Sequence, residues 1–232
     1  MPDSAPHSAH MGFGQMDLGL TDTRPKRVTL SPGATLLRGF ALGETEALWQ
    51  ALVPVLNAAP LRRMLTPGGR QMSVAMTSCG TWGWVTDQAG YRYTHTDPTT
   101  QALWPAMPPL LSQLASRSAA AAGFEGFQPN ACLINRYEAG TRMTAHQDKD
   151  EGNITQPIVS VSLGLPILFL WGGLHRTTRA HPVLLEHGDV LVWGNKARLH
   201  YHGVKPLAPG MHPLTGPTRF NLTFRYVAQP TP

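Results

Sequence analysis

Cysteine and long apolar runs are both scarce in this sequence. Its two cysteines, Cys79 and Cys132, are too few for a disulfide framework and lack the paired spacing of a zinc-binding motif. No segment is long enough to span a bilayer, and the N-terminus lacks the apolar core of a signal peptide. We therefore expect a protein of the reducing cytoplasm with no membrane segment.

Charged residues are also sparse, at 14% of the chain, which excludes a coiled coil and a charged disordered polymer. The apolar fraction of 42% over 232 residues is enough to bury a globular core. The sequence contains no internal repeat and no glycine-rich phosphate-binding fingerprint. Its net charge of +5 favours an anionic partner, with nucleic acid first among the candidates, although many soluble proteins are mildly basic.

The chain divides into a tail and one domain. Residues 1–30 are rich in Pro, Ser, Gly, Asp and His without hydrophobic periodicity, which predicts a flexible tail. Residues 31–228 are expected to form a single domain. Helical patterns span 44–56 and 109–122, and Pro54 is expected to kink or end the first helix.

Short β-rich runs separated by Gly and Pro turns dominate the second half of the chain. The predicted strands are 35–40, 71–77, 131–137, 158–163, 167–171, 190–193, 199–204 and 220–227. Many short strands in this order predict an α+β protein that is mainly β, with a double-sheet jelly roll. The earlier helices are expected to pack on the outside of one sheet.

The tripeptide His146-Gln147-Asp148 is a candidate metal-binding motif. In an extended chain, side chains two residues apart point the same way, so one imidazole and one carboxylate would face a common point. A second imidazole from His202 would complete the two-His, one-carboxylate triad of non-haem Fe(II) oxygenases. Alone, the tripeptide is more often a surface turn, and the spacing leaves His200 open as an alternative third ligand.

The segment 219–226 alternates between polar and apolar residues. One face consists of Arg219, Asn221, Thr223 and Arg225, and the other of Phe220, Leu222, Phe224 and Tyr226. The apolar face is expected to enter the core. Two inward arginines are unfavourable unless anions meet them, so together they could hold the ends of a small dicarboxylate. Two surface arginines on an edge strand are an equally common arrangement.

Aromatic residues are concentrated in the glycine-rich segment 81–98, where Arg92 lies between Tyr91 and Tyr93. Such rings can be packed core residues or platforms on which nucleic-acid bases stack. Core packing is the more common role, and the neighbouring arginine keeps contact with nucleic acid as an alternative.

Eight segments together carry a family resemblance. They are PGGRQMSVAMT, WPAMP, FQPNACLINRY, HQDKDE, PIVSVSLGLP, LEHGDVLVWG, HYHGV and RFNLTFR. In this order, from about Thr35 to Arg225, they resemble the bacterial AlkB DNA-dealkylation enzymes. The resemblance implies a double-stranded β-helix and a dioxygenase that uses Fe(II), 2-oxoglutarate and O2.

The resemblance also assigns residues to the metal and the cosubstrate. It implies that His146, Asp148 and His202 bind Fe(II), and the match of Tyr201-His202-Gly203 favours His202 over His200. It further implies five contacts to 2-oxoglutarate. These are hydrogen bonds from Asn135 and Tyr137, pairing of the distal carboxylate with Arg219, and contacts near the chelating end from Arg225 and Asn221.

The substrate contacts implied by the resemblance lie mostly in a nucleotide-recognition lid at about 62–98. Trp84 resembles the ring that stacks on a flipped base, Tyr91 and Tyr93 resemble contacts to the nucleic-acid backbone, Asp150 lies near the exocyclic amine of the damaged base, and Arg176 is a further contact. Residues 66–76, with Met72, resemble a mobile cover. Arg70 stands where the family often has an aromatic residue, which makes contact there more electrostatic.

The implied function is direct reversal of base alkylation. N-methyl groups of bases such as 1-methyladenine and 3-methylcytosine would be oxidised and released as formaldehyde, while 2-oxoglutarate becomes succinate and CO2. The substrate is expected to be alkylated DNA, single-stranded or flipped from a duplex, with RNA open, and the enzyme to be a monomer. The rivals are a small-molecule or protein oxygenase of this fold, a non-catalytic cupin-like module and a zinc hydrolase.

Overall fold

A computed structural model describes residues 24–228 of the chain. Most of the predicted tail lies outside these residues. The boundary at residue 30 is corrected, because Arg27–Ser31 forms a strand that pairs with Ala34–Leu37. Within 24–228, no helix is long and apolar enough to cross a membrane.

The described part of the chain forms two α-helices and thirteen strands. The helices are α1 (Thr45–Ala58) and α2 (Pro109–Ala121). The strands are β1 (Arg27–Ser31), β2 (Ala34–Leu37), β3 (Ala75–Gly80), β4 (Gly83–Asp87), β5 (Gly90–Thr94), β6 (Ala131–Tyr137), β7 (Met143–His146), β8 (Ile158–Gly164), β9 (Ile167–Trp171), β10 (His181–Leu185), β11 (Val190–Trp193), β12 (His202–Val204) and β13 (Arg219–Arg225).

Both helices lie where the helical periodicity of the sequence predicts them. Helix α1 continues through Pro54 to Ala58, so the expected end at this proline is wrong. Proline removes one backbone hydrogen bond from a helix, and here the buried residues Leu48, Leu52 and Val55 still hold α1 in the core. Helix α2 begins at Pro109, the first-turn position where proline is tolerated best.

The strands form two larger sheets and one hairpin. The seven-stranded sheet has the order β1-β2-β11-β8-β13-β6-β3, the four-stranded sheet has the order β10-β9-β12-β7, and β4 pairs with β5. The named pairs are all antiparallel. This arrangement confirms the predicted mainly-β jelly roll.

Two apolar layers flank the seven-stranded sheet. Helices α1 and α2 pack on its outer face, where Leu52 and Leu114 meet Leu222 and Phe224 of β13. The second layer lies between the sheets and contains Phe169 of β9 and Trp193 of β11. The helices therefore cover one sheet, as predicted, and the inner layer surrounds the site described below.

Several strand boundaries differ from the prediction. The predicted strand 71–77 forms regular pairing only as β3, Ala75–Gly80, and 199–204 shortens to β12, His202–Val204. Five strands, β1, β4, β5, β7 and β10, were not among the predicted strands. Tyr226 lies beyond β13 and is 38% exposed, so it does not share the buried apolar face of that strand.

The predicted lid 62–98 is divided in two by the sheet. Strand β3 lies inside this range and belongs to the seven-stranded sheet, so the covering elements are the segment before β3 and the hairpin β4–β5. The base of the hairpin is anchored at Gly83, where an added Cβ would lie 2.2 Å from the Trp104 ring. The indole Nε1 of Trp104 donates to the carbonyl of Thr94 at 3.0 Å, which holds the other strand.

We expect Leu52→Ala to lower the free energy of unfolding by about 2–5 kcal/mol, because Leu52 is fully buried between α1 and the sheet and its truncation leaves a cavity. Leu103→Ala is the matched control, since Leu103 is 75% exposed and its truncation should change stability by less than about 0.5 kcal/mol. Urea unfolding followed by circular dichroism measures both. Equal effects would contradict the packing of α1 described here.

Candidate metal centre and substrate cavity

A cavity of about 470 Å³ opens beneath the hairpin β4–β5. Its walls come from both larger sheets, with β6, β8 and β13 on one side and β7, β9 and β12 on the other. Of the fifteen residues that the sequence assigned to metal, cosubstrate or substrate, all but Arg70 line this cavity. The structure thus brings together residues that are distant in the sequence.

His146, Asp148 and His202 form a compact group at the cavity wall. Each offers one ligand atom, and these atoms all lie within 4.8 Å of one another. His146 ends β7 and pairs with His202 at the start of β12, so the antiparallel register itself sets the two imidazoles side by side. The Nε2 of His146 lies 3.6 Å from one oxygen of Asp148, and that of His202 lies 3.9 Å from the other.

Backbone carbonyls fix which nitrogen of each imidazole is free. The Nδ1 of His146 lies 2.9 Å from the carbonyl oxygen of Thr144, and the Nδ1 of His202 lies 3.0 Å from that of His200. A carbonyl oxygen only accepts hydrogen bonds, so each Nδ1 carries the proton. Each Nε2 therefore presents its lone pair to the common point, as a metal ligand must.

The structure separates His200 from the metal group. Its ring stacks on Trp171 at a centroid distance of 5.1 Å, and its Nδ1 donates to the carbonyl of Gly172 at 2.9 Å. His200 is not part of the clustered ligand atoms. The choice between the two histidines, open from their spacing alone, is therefore resolved in favour of His202.

Burial and charge keep the ligands in their binding forms. Burial acts to raise the pKa of Asp148, but Arg225, His202 and His146 together outweigh it and hold this pKa below its usual range. Burial also lowers the pKa of His202 to about 4, with a further contribution from His146. At neutral pH the group thus combines a carboxylate with an uncharged, buried imidazole.

Arg225 leaves one carboxylate oxygen for a metal ion. Its Nη2 donates to Oδ2 of Asp148 at 2.6 Å. With that oxygen engaged, Oδ1 is the one that remains for coordination. One oxygen and two imidazole nitrogens on one side of an ion leave positions for other ligands, which suits a facial triad.

Arg219 lies deep in the cavity wall with no anionic partner among the described residues. Its side chain is fully buried, and it donates to Ser162 Oγ at 2.7 Å and to the Leu165 carbonyl at 3.3 Å. Burial lowers its pKa to about 10, so it is still charged at pH 7. A buried guanidinium without a carboxylate is unfavourable, and an anionic ligand would complete it.

Neighbouring polar groups continue the lining from Arg219 towards the metal group. Tyr137 lies opposite Arg219 in the β6–β13 register, and its hydroxyl makes no hydrogen bond within residues 24–228. Asn221 lies opposite Asn135, which donates to it at 3.2 Å. Arg219 and Arg225 lie at opposite ends of β13, so this wall of the cavity carries one guanidinium near each end of the strand.

A buried ionic network behind Asp148 was not predicted. Glu151 and Arg198 are each 2% exposed, and Nη2 of Arg198 lies 2.8 Å from Oε2 of Glu151. The other oxygen, Oε1, lies 3.1 Å from Nε of Arg225. Glu151 ends the segment HQDKDE, one of those that carry the family resemblance, which is a reason to place it near the site. Nothing in the sequence around Arg198 indicates a role for that residue.

The hairpin β4–β5 places three aromatic residues at the cavity mouth. Trp84 stacks on Tyr91 with ring centroids 5.6 Å apart, and Tyr93 reaches inward to donate to Glu151 Oε1 at 3.2 Å. The indole Nε1 of Trp84 donates to Asp150 Oδ2 at 3.2 Å. Burial raises the pKa of Tyr93 well above its usual value, so its hydroxyl stays protonated.

The remaining predicted substrate residues fall into two groups. Met72 and Arg176 line the cavity, and the guanidinium of Arg176 lies 5.9 Å from the ring centre of Tyr201. Arg70 instead lies on an exposed turn outside the cavity, where its backbone N–H donates to Thr66 Oγ1 at 3.2 Å. The interpretation of Arg70 as a substrate contact is therefore not supported by its position.

Comparison with known families decides the class of this site. The family model described as the 2OG-Fe(II) oxygenase superfamily matches residues 33–225. The chain belongs to this superfamily. The oxygenase is thus a dioxygenase that depends on Fe(II) and 2-oxoglutarate, and its cosubstrates are 2-oxoglutarate and O2.

Curated relatives extend over nearly the whole oxygenase. It is 52% identical to the alpha-ketoglutarate-dependent dioxygenase AlkB of Escherichia coli over 204 residues, which cover 88% of this chain and 94% of that protein. The AlkB of Salmonella typhimurium is 50% identical over 208 residues, covering 90% and 96%. These identities confirm the family resemblance to AlkB.

Two further matches are to proteins named ALKBH1 or ALKBH1D. The solved structure of OsALKBH1 superposes with a TM-score of 0.75 at 29% identity, covering 86% of this chain and 99% of that one. A DNA N(6)-methyladenine demethylase, ALKBH1D of Arabidopsis thaliana, is 39% identical over 111 residues. This second match covers 42% of the oxygenase and 25% of the plant protein.

We expect His202→Ala to weaken binding of Mn(II) more than about 100-fold, because it deletes one of three protein ligands. His200→Ala is the matched control two residues away, and it should leave the affinity within about three-fold, since its ring faces Trp171. Isothermal titration calorimetry of the two variants and the wild type measures this difference. A larger loss for His200→Ala would reverse the assignment.

Proposed function

We propose that this oxygenase demethylates N-alkylated bases in DNA by oxidation, with 1-methyladenine and 3-methylcytosine as substrates and formaldehyde as a product. One observation carries the proposal: the aromatic hairpin with Trp84 and Tyr91 lies at the mouth of the same cavity that holds the metal group. A flat aromatic platform beside a metal centre suits a planar base better than an aliphatic substrate.

The residues of the cavity fit the two cofactors. In this proposal, the clustered ligand atoms of His146, Asp148 and His202 hold Fe(II). Arg219 pairs with the distal carboxylate of 2-oxoglutarate, and the chain's other contacts to this cosubstrate come from Asn135, Tyr137, Asn221 and Arg225. When bound, iron, 2-oxoglutarate and O2 would supply the oxidation of the alkyl carbon: one oxygen atom of O2 goes to that carbon, and the other goes to succinate as 2-oxoglutarate loses CO2.

The position of the cavity determines how a base reaches it. A base stacked in a duplex lies out of reach of a recessed site, so the base must be flipped out or belong to a single strand. A methyl group on the Watson–Crick edge weakens pairing and lowers the free energy needed for flipping. The net charge of +5 favours approach of either kind of strand.

Charge complementarity explains the preference for these two lesions. Both 1-methyladenine and 3-methylcytosine carry a positive charge, and Asp150 at the cavity rim offers a carboxylate. The hydrogen bond from Trp84 to Asp150 keeps this carboxylate beside the stacking ring. Trp84 and Asp150 therefore recognise the face and the edge of one base.

The rival functions fit the cavity less well. A zinc hydrolase or a non-catalytic module would have no use for the buried, unpaired charge of Arg219, and the superfamily assignment also opposes both. An oxygenase acting on a small molecule or protein would not need the aromatic hairpin. RNA stays open as a substrate, since the mouse relative, 28% identical over 170 residues, is called a nucleic acid dioxygenase.

We further propose that the enzyme acts in the cytoplasm as a monomer, with the segment before β3 and the hairpin β4–β5 as a lid over the bound base. Cys79 and Cys132 are buried and form no disulfide, which is compatible with a reducing compartment. The monomeric state stays a prediction from the sequence.

We expect Arg219→Lys to weaken 2-oxoglutarate binding about 10- to 100-fold, because lysine keeps the charge but loses the two-pronged hydrogen bonding of the guanidinium. Arg117→Lys, at an exposed pair with Glu44, is the matched control and should not change the affinity. Titration calorimetry with the Mn(II)-loaded protein measures both. An unchanged affinity in Arg219→Lys would remove this residue from the cosubstrate site.

The activity itself is tested by formaldehyde release from a 3-methylcytosine oligonucleotide with Fe(II), ascorbate and 2-oxoglutarate. We expect Trp84→Ala to lower the rate at subsaturating oligonucleotide about 5- to 150-fold, which corresponds to the 1–3 kcal/mol of base–aromatic stacking. Turnover of 2-oxoglutarate without oligonucleotide should change little. Trp84→Phe keeps an aromatic face and should retain most of the affinity for the oligonucleotide.

No formaldehyde from any alkylated oligonucleotide, in a wild type that still turns over 2-oxoglutarate, would refute the proposed substrate class. Unchanged kinetics in Trp84→Ala would instead refute the stacking role alone.

A further inference from the structure

The hairpin β4–β5 is connected to the metal group through direct contacts at every step. Tyr93 donates to Glu151 Oε1 at 3.2 Å, and the same oxygen lies 3.1 Å from Nε of Arg225. Arg225 then donates to Asp148 Oδ2 at 2.6 Å. Tyr93 of the hairpin is thus linked to Asp148 through two intervening side chains, those of Glu151 and Arg225.

The ring proposed to stack on the base lies opposite this tyrosine. Trp84 and Tyr93 are direct cross-strand partners in the β4–β5 register, so their side chains share one face of the hairpin. Trp84 also contacts the segment that carries the metal ligand, through Asp150. A base that stacks on Trp84 therefore restrains the same hairpin face from which Tyr93 reaches Glu151.

Glu151 has few alternatives if Tyr93 moves. Arg198 fixes its other oxygen at 2.8 Å, and Arg198 is itself held by the Gln156 carbonyl at 3.0 Å and by the backbone carbonyl of Asp148. Glu151 and Arg198 are both 2% exposed, so water cannot readily replace a lost partner. In such a buried network, a change at one contact strongly alters the energy of the next contact.

We propose that Tyr93 and Glu151 are positioning residues. When the base-binding hairpin changes position, the contacts of Tyr93 and Glu151 change the position of Arg225 and, through it, that of Asp148. This inference rests on the proposed function, because it requires a base at Trp84. Arg225 also faces the chelating end of 2-oxoglutarate in that proposal. Base binding should therefore change the affinity for 2-oxoglutarate, and by linkage 2-oxoglutarate should change the affinity for the base by the same factor.

The test compares 2-oxoglutarate binding with and without a 3-methylcytosine oligonucleotide, by calorimetry of the Mn(II)-loaded protein. In the wild type we expect the oligonucleotide to tighten binding at least about five-fold. We call the ratio of the 2-oxoglutarate affinities with and without the oligonucleotide the coupling factor. Tyr93→Phe deletes only the hydroxyl and should bring this factor close to one. In Fe(II) assays, the same variant should release more succinate per formaldehyde than the wild type does.

A hydroxyl with a purely structural role would lower the melting temperature and leave the factor and the product ratio unchanged. Tyr226→Phe, which removes a hydroxyl outside the cavity, is the matched control and should keep the wild-type factor. Glu151→Gln keeps the side-chain shape without the charge and should also lose the factor, which provides the test if Tyr93→Phe does not fold.

Two results would overturn the inference while leaving the proposed function intact. One is a Tyr93→Phe protein that binds the oligonucleotide and keeps the wild-type factor. The other is a wild type that binds the oligonucleotide with no change in 2-oxoglutarate affinity. A wild type that does not bind the oligonucleotide at all overturns the proposed function, and the inference with it.

Discussion

The ion pair between Arg225 and Asp148 is the contact on which the site depends. An ionised carboxylate in a dry cavity is destabilised by several kcal/mol unless a positive charge and hydrogen bonds compensate for the lost water. Arg225 provides both, and it engages one carboxylate oxygen so that the other remains for a metal ion. Without this pair, burial would favour the neutral acid, which is a poor ligand. Glu151 balances the charge of Arg225 in turn. With Arg198 included, the buried network contains two carboxylates and two guanidinium cations.

Strand β13 reconciles a hydrophobic core with a polar cavity. Because side chains alternate along a strand, its apolar residues meet the helices while its polar residues face the cavity. The antiparallel register then places polar partners beside them, with Asn221 opposite Asn135 on β6 and Ser162 on β8. β13 is hydrogen-bonded to β8 on one side and β6 on the other, so its backbone, which carries both arginines, cannot move as a free edge strand could. Both anchoring arginines are thereby held at a constant separation.

Patterns that are local in sequence predicted much of this structure. The alternation along β13 and the short spacing of His146 and Asp148 each describe neighbours on one strand or turn, and these predictions hold. Contacts across strands escaped prediction. His200 and His202 are two residues apart, so their spacing does not distinguish them. The family resemblance favours His202, and the pairing of β12 with β7 places His202 beside His146. The pair of Glu151 and Arg198 joins two loops far apart in the chain, and neither residue has a periodic context that announces burial.

The three clustered ligands differ in their access to solvent. The side chain of His146 is 35% exposed, whereas those of Asp148 and His202 are 9% and 5% exposed. The His146 side of the group is therefore the side more open to solvent. A chelator or a competing divalent metal would accordingly reach these three side chains from the His146 side, and not from the buried side formed by Asp148 and His202.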